Sequence, residues 1–217
     1  MNLRNLSNLA NLRHNIYRDV HKGLRRELAS LVTDIGMLDA RTEEFDRAAA
    51  RFRQLRRLLE AHHDHEDVHI GPHLKRHAPR LFEEMEKEHG LLAREIAALS
   101  VHADAALSAA GDDRIYGVRT FYMALGAFMA RYFLHMDEEE RSYLAALQAA
   151  YTDAELGAIE GALVGSIAPD MLECFMAIML PAMNPDERAE LLAHAGAAPA
   201  PASRVPDERT TSEAVHA

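Results

Sequence analysis

Apolar residues recur along most of this chain at helical rather than alternating spacing. Leu24, Leu28 and Leu31 fall on one i, i+4, i+7 face, which predicts a first long helix from about Asn11 to Thr33. A second begins near Thr42, where Glu43 and Glu44 suit the positive end of a helix dipole. It continues through Phe45, Phe52, Leu55 and Leu59 into a histidine-rich stretch, and Gly71-Pro72 is expected to end or kink it. A third opens near Pro79, a residue suited to a first helical turn, and runs to about Ala110. The fourth spans roughly Arg114 to Ala150.

Thr152-x-x-Glu155 then reads as a capping box, a further short helix follows Pro169, and another opens at Asn184-Pro185 with Asp186 and Glu187. Residues 1–10 repeat Asn-Leu at a period of three, which holds no helical stripe and predicts a frayed lead-in. From Gly196 onward the Ala/Pro-rich, then Ser/Thr-rich and charged sequence predicts disorder. The expected fold is all-α: an up-down-up-down four-helix bundle over 1–150, appended short helices over 151–195, and a tail over 196–217.

Composition narrows this. With 217 residues the chain can bury one good core. Hydrophobic residues make up 48%, Trp is absent and aromatics are only 6%, so Ala, Leu and Met are expected to build that core. A net charge of −10 argues against nucleic acid and gives no reason to invoke an anionic membrane. One cysteine excludes an intrachain disulfide and a Cys-based zinc or iron–sulfur site. There is no apolar run of about 18 residues and no signal-peptide block, so a soluble, cytoplasmic protein is expected. The outlier is histidine, with 13 copies, six of them between residues 62 and 77.

Two His-x-x-x-Glu motifs stand on two of the expected helices: His62 to Glu66 and His135 to Glu139. Residues four apart on a helix project from one face, so each motif aims an imidazole and a carboxylate at one point. His21 and His89 fall on the other two helices at matching depth. In an alternating bundle, ligands on consecutive helices meet only if they lie equally far from the turn between them. The midpoint of His21 and His62 lies between Arg41 and Thr42, that of His62 and His89 at Lys75–Arg76, and that of His89 and His135 at Asp112. All three land on or beside breaker and turn signals. Four His and two Glu converging in a bundle are the donor set of a metal pair. Imidazole and carboxylate without thiolate suit iron, manganese or zinc, and a carboxylate from each motif can bridge two ions.

The stretches Tyr17-Arg18-Asp19-Val20-His21-Lys22-Gly23-Leu24-Arg25, HHDHEDVHIGPHL (62–74), EKEHGLL (86–92) and HMDEEE (135–140) resemble the hemerythrin-like, HHE cation-binding family over about residues 12–150. The resemblance implies a four-helix bundle with a non-haem diiron centre that reacts with O₂, nitric oxide or peroxide. It implies His21, His62, Glu66, His89, His135 and Glu139 as ligands of two carboxylate-bridged iron ions. Oxygen-carrying members place a second His four residues after the third-helix ligand, where this chain has Ala93. That departure resembles members of the iron-centre-repair and nitric-oxide-handling type, with a role in nitrosative or oxidative stress, more than O₂ carriers. The alternative is an O₂- or iron-responsive sensor signalling through the appended helices, with a homodimer or protein partner on residues 152–195.

Other features take plainer readings. His63, spaced from Asp67 like a second motif, is a candidate auxiliary ligand. His65, His69, His73 and His77 form a stripe expected to be a solvated face, with a peripheral metal-loading track as the alternative. His14, two turns from His21 and too far for the same ion, is expected at the surface or behind the ligands. Tyr17 and Tyr132 face the site as packing residues, with a hydrogen-bonding or redox role as the alternative. Arg47, Arg51, Arg53, Arg56 and Arg57 read as a solvated face. Met171, Met176, Met179 and Met183 read as packing of the appended helices, and Cys174 as a small buried hydrophobe.

Overall fold

The computed structural model describes residues 13–197, and the lead-in over 1–10 and the tail beyond residue 197 lie outside them. Among the described residues every regular element is a helix: α1 Arg18–Met37, α2 Glu44–His69, α3 Gly71–His77, α4 Pro79–Ser108, α5 Gly111–Glu138, a π-helical turn Glu139–Tyr143, α6 Leu144–Ala150, α7 Asp153–Ser166, α8 Pro169–Met179, a 3₁₀ turn Leu180–Ala182 and α9 Pro185–Ala197. α1 packs on α2, α2 on α4, α4 on α5 and α5 on α1, so the long helices form a bundle around a shared interior.

The first helix starts later and ends later than its sequence pattern predicts. The side-chain oxygen of Asn15 accepts from the backbone N–H groups of Tyr17, at 3.0 Å, and Arg18, at 3.1 Å, satisfying donors that the helix leaves open. Just upstream, Arg13 bonds the Asp153 carboxylate at 2.7 Å and the carbonyls of Gln148 and Tyr151 at 2.8 and 2.9 Å, which pins this segment across the end of α6. The second helix breaks where expected: Pro72 sits in the first turn of α3, and Ile70 joins it to α2. Gly111 adopts φ +56°, a left-handed conformation that favours glycine, at the turn joining α4 to α5.

The scarce aromatics are concentrated in the core rather than replaced there. Phe45, Phe52 and Phe121 are fully buried and meet edge to face, at 5.9 Å for Phe45–Phe121 and 5.0 Å for Phe52–Phe121. One apolar cluster runs from Leu31 and Phe45 to Phe128 and Tyr132, and a second gathers Tyr17, Ile70, Leu74, Met85, Tyr143 and Leu147. Arg51 is not simply solvated. It binds Glu27 and Asp34 of α1, each at 2.5 Å, and so ties α2 to α1.

The appended helices α7 and α8 lie against the bundle. α7 packs on α2, and α8 packs on α1 and α2. α8 approaches closely because Gly23 has no side chain: a Cβ there would lie 3.2 Å from the backbone of Ile178 and Met179. Met171 and Met179 pack against the main cluster, and Cys174 is half-buried beside them rather than fully enclosed. The Thr152–Glu155 capping box forms as predicted. The chain divides after Met183, and α9 belongs to the second unit. There Asn184 and Glu187 exchange reciprocal side-chain-to-backbone bonds of 2.9 Å, opening the helix at the predicted place. No single helix among the described residues is long and apolar enough to cross a membrane.

Candidate metal centre

The structure brings His21, His62, Glu66, His89, His135 and Glu139 together inside the bundle, none more than 5% exposed. α1 supplies His21, α2 the first motif, α4 His89, and α5 with its π turn the second motif. Their ligand atoms form two overlapping groups: His21, His62, Glu66 and Glu139, and Glu66, His89, His135 and Glu139. Within each group the atoms lie within 4.8 Å of one another.

Each carboxylate divides its two oxygens between the groups. Glu66 Oε1 lies 3.3 Å from His62 Nε2 and 3.9 Å from His21 Nε2, while its Oε2 lies 3.6 Å from His89 Nε2. Glu139 Oε2 lies 3.4 Å from His21 Nε2, while its Oε1 lies 3.3 Å from His135 Nε2 and 3.7 Å from His89 Nε2. None of these oxygens, and none of the four imidazole Nε2 atoms, has a hydrogen-bond partner. Leaving so many polar atoms buried and unpaired would cost several kcal/mol, on the order of 1–3 per group. Cations coordinated between them remove that cost, so the donor set fits a pair of metal ions.

The outer nitrogens are all accounted for on three of the four rings. His21 Nδ1 bonds Glu140 at 2.8 Å, His89 Nδ1 bonds Asp67 at 2.7 Å, and His135 Nδ1 bonds Glu88 at 2.9 Å. Donating Nδ1–H to a carboxylate fixes the tautomer that leaves Nε2 free as a ligand. Glu140 is itself held by Arg25 at 2.5 Å. These three carboxylates were missed in the sequence pattern, although each adjoins a motif residue: Asp67 follows Glu66, Glu88 precedes His89 and Glu140 follows Glu139. Asp67 therefore serves His89 and does not pair with His63.

Glu139 and Glu140 meet the site where α5 gives way to a wider turn. The Glu139 N–H donates to the carbonyls of both His135 and Met136, and the Leu144 N–H donates to Glu139, five residues back. This wide turn sits at the centre, as such bulges often do.

The electrostatics follow from burying two carboxylates among imidazoles. Burial, then the charge of Glu139, holds Glu66 well above the ordinary carboxylate range. Burial would raise Glu139 too, but His135, His89, His21 and His62 hold it well below. Burial, then the neighbouring imidazoles, depresses His62 and His63. His89 is lowered by burial but raised on balance to about 9 by Asp67 and Glu139.

Three tyrosines surround the carboxylates. Tyr17 stacks on His21 at 5.1 Å, Tyr132 stacks on His63 at 5.4 Å, and Tyr143 closes the π turn. All three hydroxyls are buried without a partner. Burial first, and the charges of Glu66 and Glu139 next, raise the pKa of Tyr132, and burial with Glu139 and Glu66 raises Tyr17. Tyr143 went unnoticed in the sequence, although it stands four residues after Glu139, the same spacing that joins Glu139 to His135. It lines, with His135, Glu88 and Leu134, a cavity of about 480 Å³ that opens between α4 and α5.

His14, His65, His69, His73 and His77 make contacts of their own. His14 pairs with Glu160 at 2.7 Å. His65 bonds the Ala61 carbonyl and stacks with His69, His73 bonds the Tyr151 hydroxyl at 2.8 Å, and His77 meets the Tyr151 ring edge on. Ala93 is exposed. The sequence profile of the hemerythrin HHE cation binding domain matches residues 13–147. No curated protein and no solved structure matches the chain at a significant level. With that match covering most of the chain, and with buried His and Glu groups that could hold metal, this protein belongs to the hemerythrin HHE cation-binding domain family.

Proposed function

We propose that this chain is a non-haem diiron protein that reacts with O₂, nitric oxide or peroxide, of the kind that serves iron-centre repair or a nitrosative and oxidative stress response. The observation that carries the reading is the division of the Glu66 and Glu139 oxygens between two imidazole groups. It supports two ions sharing both carboxylates, one with His21 and His62, the other with His89 and His135. Alternating helix directions account for the equal depth of the four histidines. When bound, the iron pair supplies coordination positions and electrons for a small oxidant or for nitric oxide.

The chain's own groups set the conditions. Glu140, Asp67 and Glu88 hold the imidazoles in the ligating tautomer. Tyr17, Tyr132 and Tyr143 keep their protons, since burial and the nearby carboxylates raise all three, and so remain hydrogen-bond donors toward a bound small molecule. The apolar clusters on either side exclude bulk water. The cavity at Glu88 and Tyr143 is the approach for a small reactant.

Stopped-flow mixing of the diferrous protein with O₂ tests this. The expected result is rapid, irreversible oxidation to a diferric form with new near-ultraviolet absorption, and stoichiometric nitrosyl formation under nitric oxide. An adduct that releases O₂ on sparging overturns it in favour of a carrier. A sensor reading draws on one observation, the seating of α8 on Gly23, two residues from His21, which lets a shift of α1 reach the appended helices.

A further inference from the structure

His62 and His63 are consecutive, and consecutive helical residues point about 100° apart. Their rings accordingly part company. His62 turns toward His21, with ring centroids at 5.2 Å, while His63 turns toward His89, at 4.4 Å, and His135, at 5.6 Å. Glu66, four residues after His62 and three after His63, stands on the ridge between the two directions.

His63 is only 5% exposed, and its Nε2 has no hydrogen-bond partner. A ligating atom of His63, one of His89 and one of His135 lie within 4.8 Å of each other. The Tyr132 ring stacks on His63 at 5.4 Å, and its hydroxyl makes no hydrogen bond to the imidazole. A buried imidazole with an idle nitrogen, grouped within 4.8 Å with ligating atoms of two others, matches a borderline divalent metal.

We propose that His63 is a fifth imidazole donor, completing a three-histidine subsite with His89 and His135, so that the two metal ions are held unequally. This deepens the dimetal reading and rests on it. α2 thus serves both ions with adjacent residues, and the position left to alanine on α4 at residue 93 is replaced by a donor from another helix.

Co²⁺ titration of metal-free protein, followed by d–d absorption and by metal analysis after gel filtration, tests the assignment. Wild-type protein should bind two Co²⁺ in two distinguishable steps. In His63→Ala and His63→Gln, the dissociation constant of the tighter step should rise by at least about tenfold, while the other stays within a factor of about two. His65→Ala, off the centre, should change neither step. Circular dichroism of the metal-free variants shows that the helices persist, and the glutamine variant keeps a polar side chain in place. Two Co²⁺ bound by both His63 variants with unchanged constants overturns the assignment while leaving the dimetal centre in place. A wild-type chain that binds fewer than two Co²⁺ removes that centre and this subsite together.

Discussion

Glu66 and Glu139 come from different helices, yet each places one oxygen toward His21 and the other toward His89: 3.9 and 3.6 Å for Glu66, 3.4 and 3.7 Å for Glu139. A residue that serves both groups cannot be removed from one alone. Glu66→Ala or Glu139→Ala should therefore abolish binding of both ions, whereas His21→Ala should spare most of one. Metal content after anaerobic iron loading checks this, with His77→Ala as a control expected to keep two iron ions per chain. Loss of a single equivalent in both glutamate variants would mean that neither bridges.

The carboxylates behind the imidazoles act at one remove. Asp67→Asn, Glu88→Gln and Glu140→Gln should each weaken metal binding by roughly 10- to 100-fold, with the metal-free helix content unchanged. Isothermal titration with Co²⁺ gives the constants. Effects below about twofold in all three would show that ring tautomers are set some other way.

Metal should also hold the fold together. With free metal at 100 times its dissociation constant, each ion adds about 2.7 kcal/mol by mass action. For a chain of this size that is a rise in Tm of roughly 5–10 °C per ion. Equal Tm values with and without iron would place the donors apart from one another.

The metal-free protein should be most stable near pH 6.5. Burial keeps His62 and His63 below their ordinary pKa, so only the unfolded chain takes up protons as pH falls below about 6.5. Stability is thereby lost toward acid. Glu66 and His89 have the opposite sign. Glu66 is raised by burial and by Glu139, so its contribution declines as pH rises above its ordinary value of about 4.5. His89, raised to about 9, contributes fully below about 6.5 and loses that contribution as pH climbs through 9. Between about 4.5 and 6.5 two histidines outweigh one carboxylate, and above 6.5 the decline is unopposed. A Tm that stays level from pH 5 to 9 would contradict this.

Gly23 offers a test of the appended helices. The methyl of Gly23→Ala would press on the backbone of Ile178 and Met179 at 3.2 Å, and backbone yields less readily than a side-chain tip. The expected destabilisation is about 1–3 kcal/mol, read from urea denaturation of the loaded protein. No loss would mean that α8 is loosely seated.

The helical spacing of Leu24, Leu28 and Leu31, and the turn signals near Gly71 and Asp112, were enough to set the helices and bring six donors to one depth. What the pattern could not carry was anything that breaks strict periodicity. Asn15 caps α1 from three residues before Arg18, so the apolar stripe alone placed its start too early. Apolar periodicity does not register one additional residue in a turn, and the π segment with Tyr143 was therefore read as plain helix. The side on which His63 falls depends on the rotation of α2 in the bundle, which only packing decides.

The π turn also makes the chain's length forgiving at one point. Each residue of a regular helix advances the face by about 100°, so losing one from the middle of α5 would swing everything downstream by that angle. The wide turn instead absorbs one residue more than a regular turn holds. Deleting Arg141 or Ser142 would let α5 run straight into α6, with Leu144 and Leu147 still packed with Tyr17 and Ile70. A single-codon deletion here would thus be repaired within one turn, whereas the same deletion inside α5 would act as a frameshift in three dimensions and dismantle one wall of the centre.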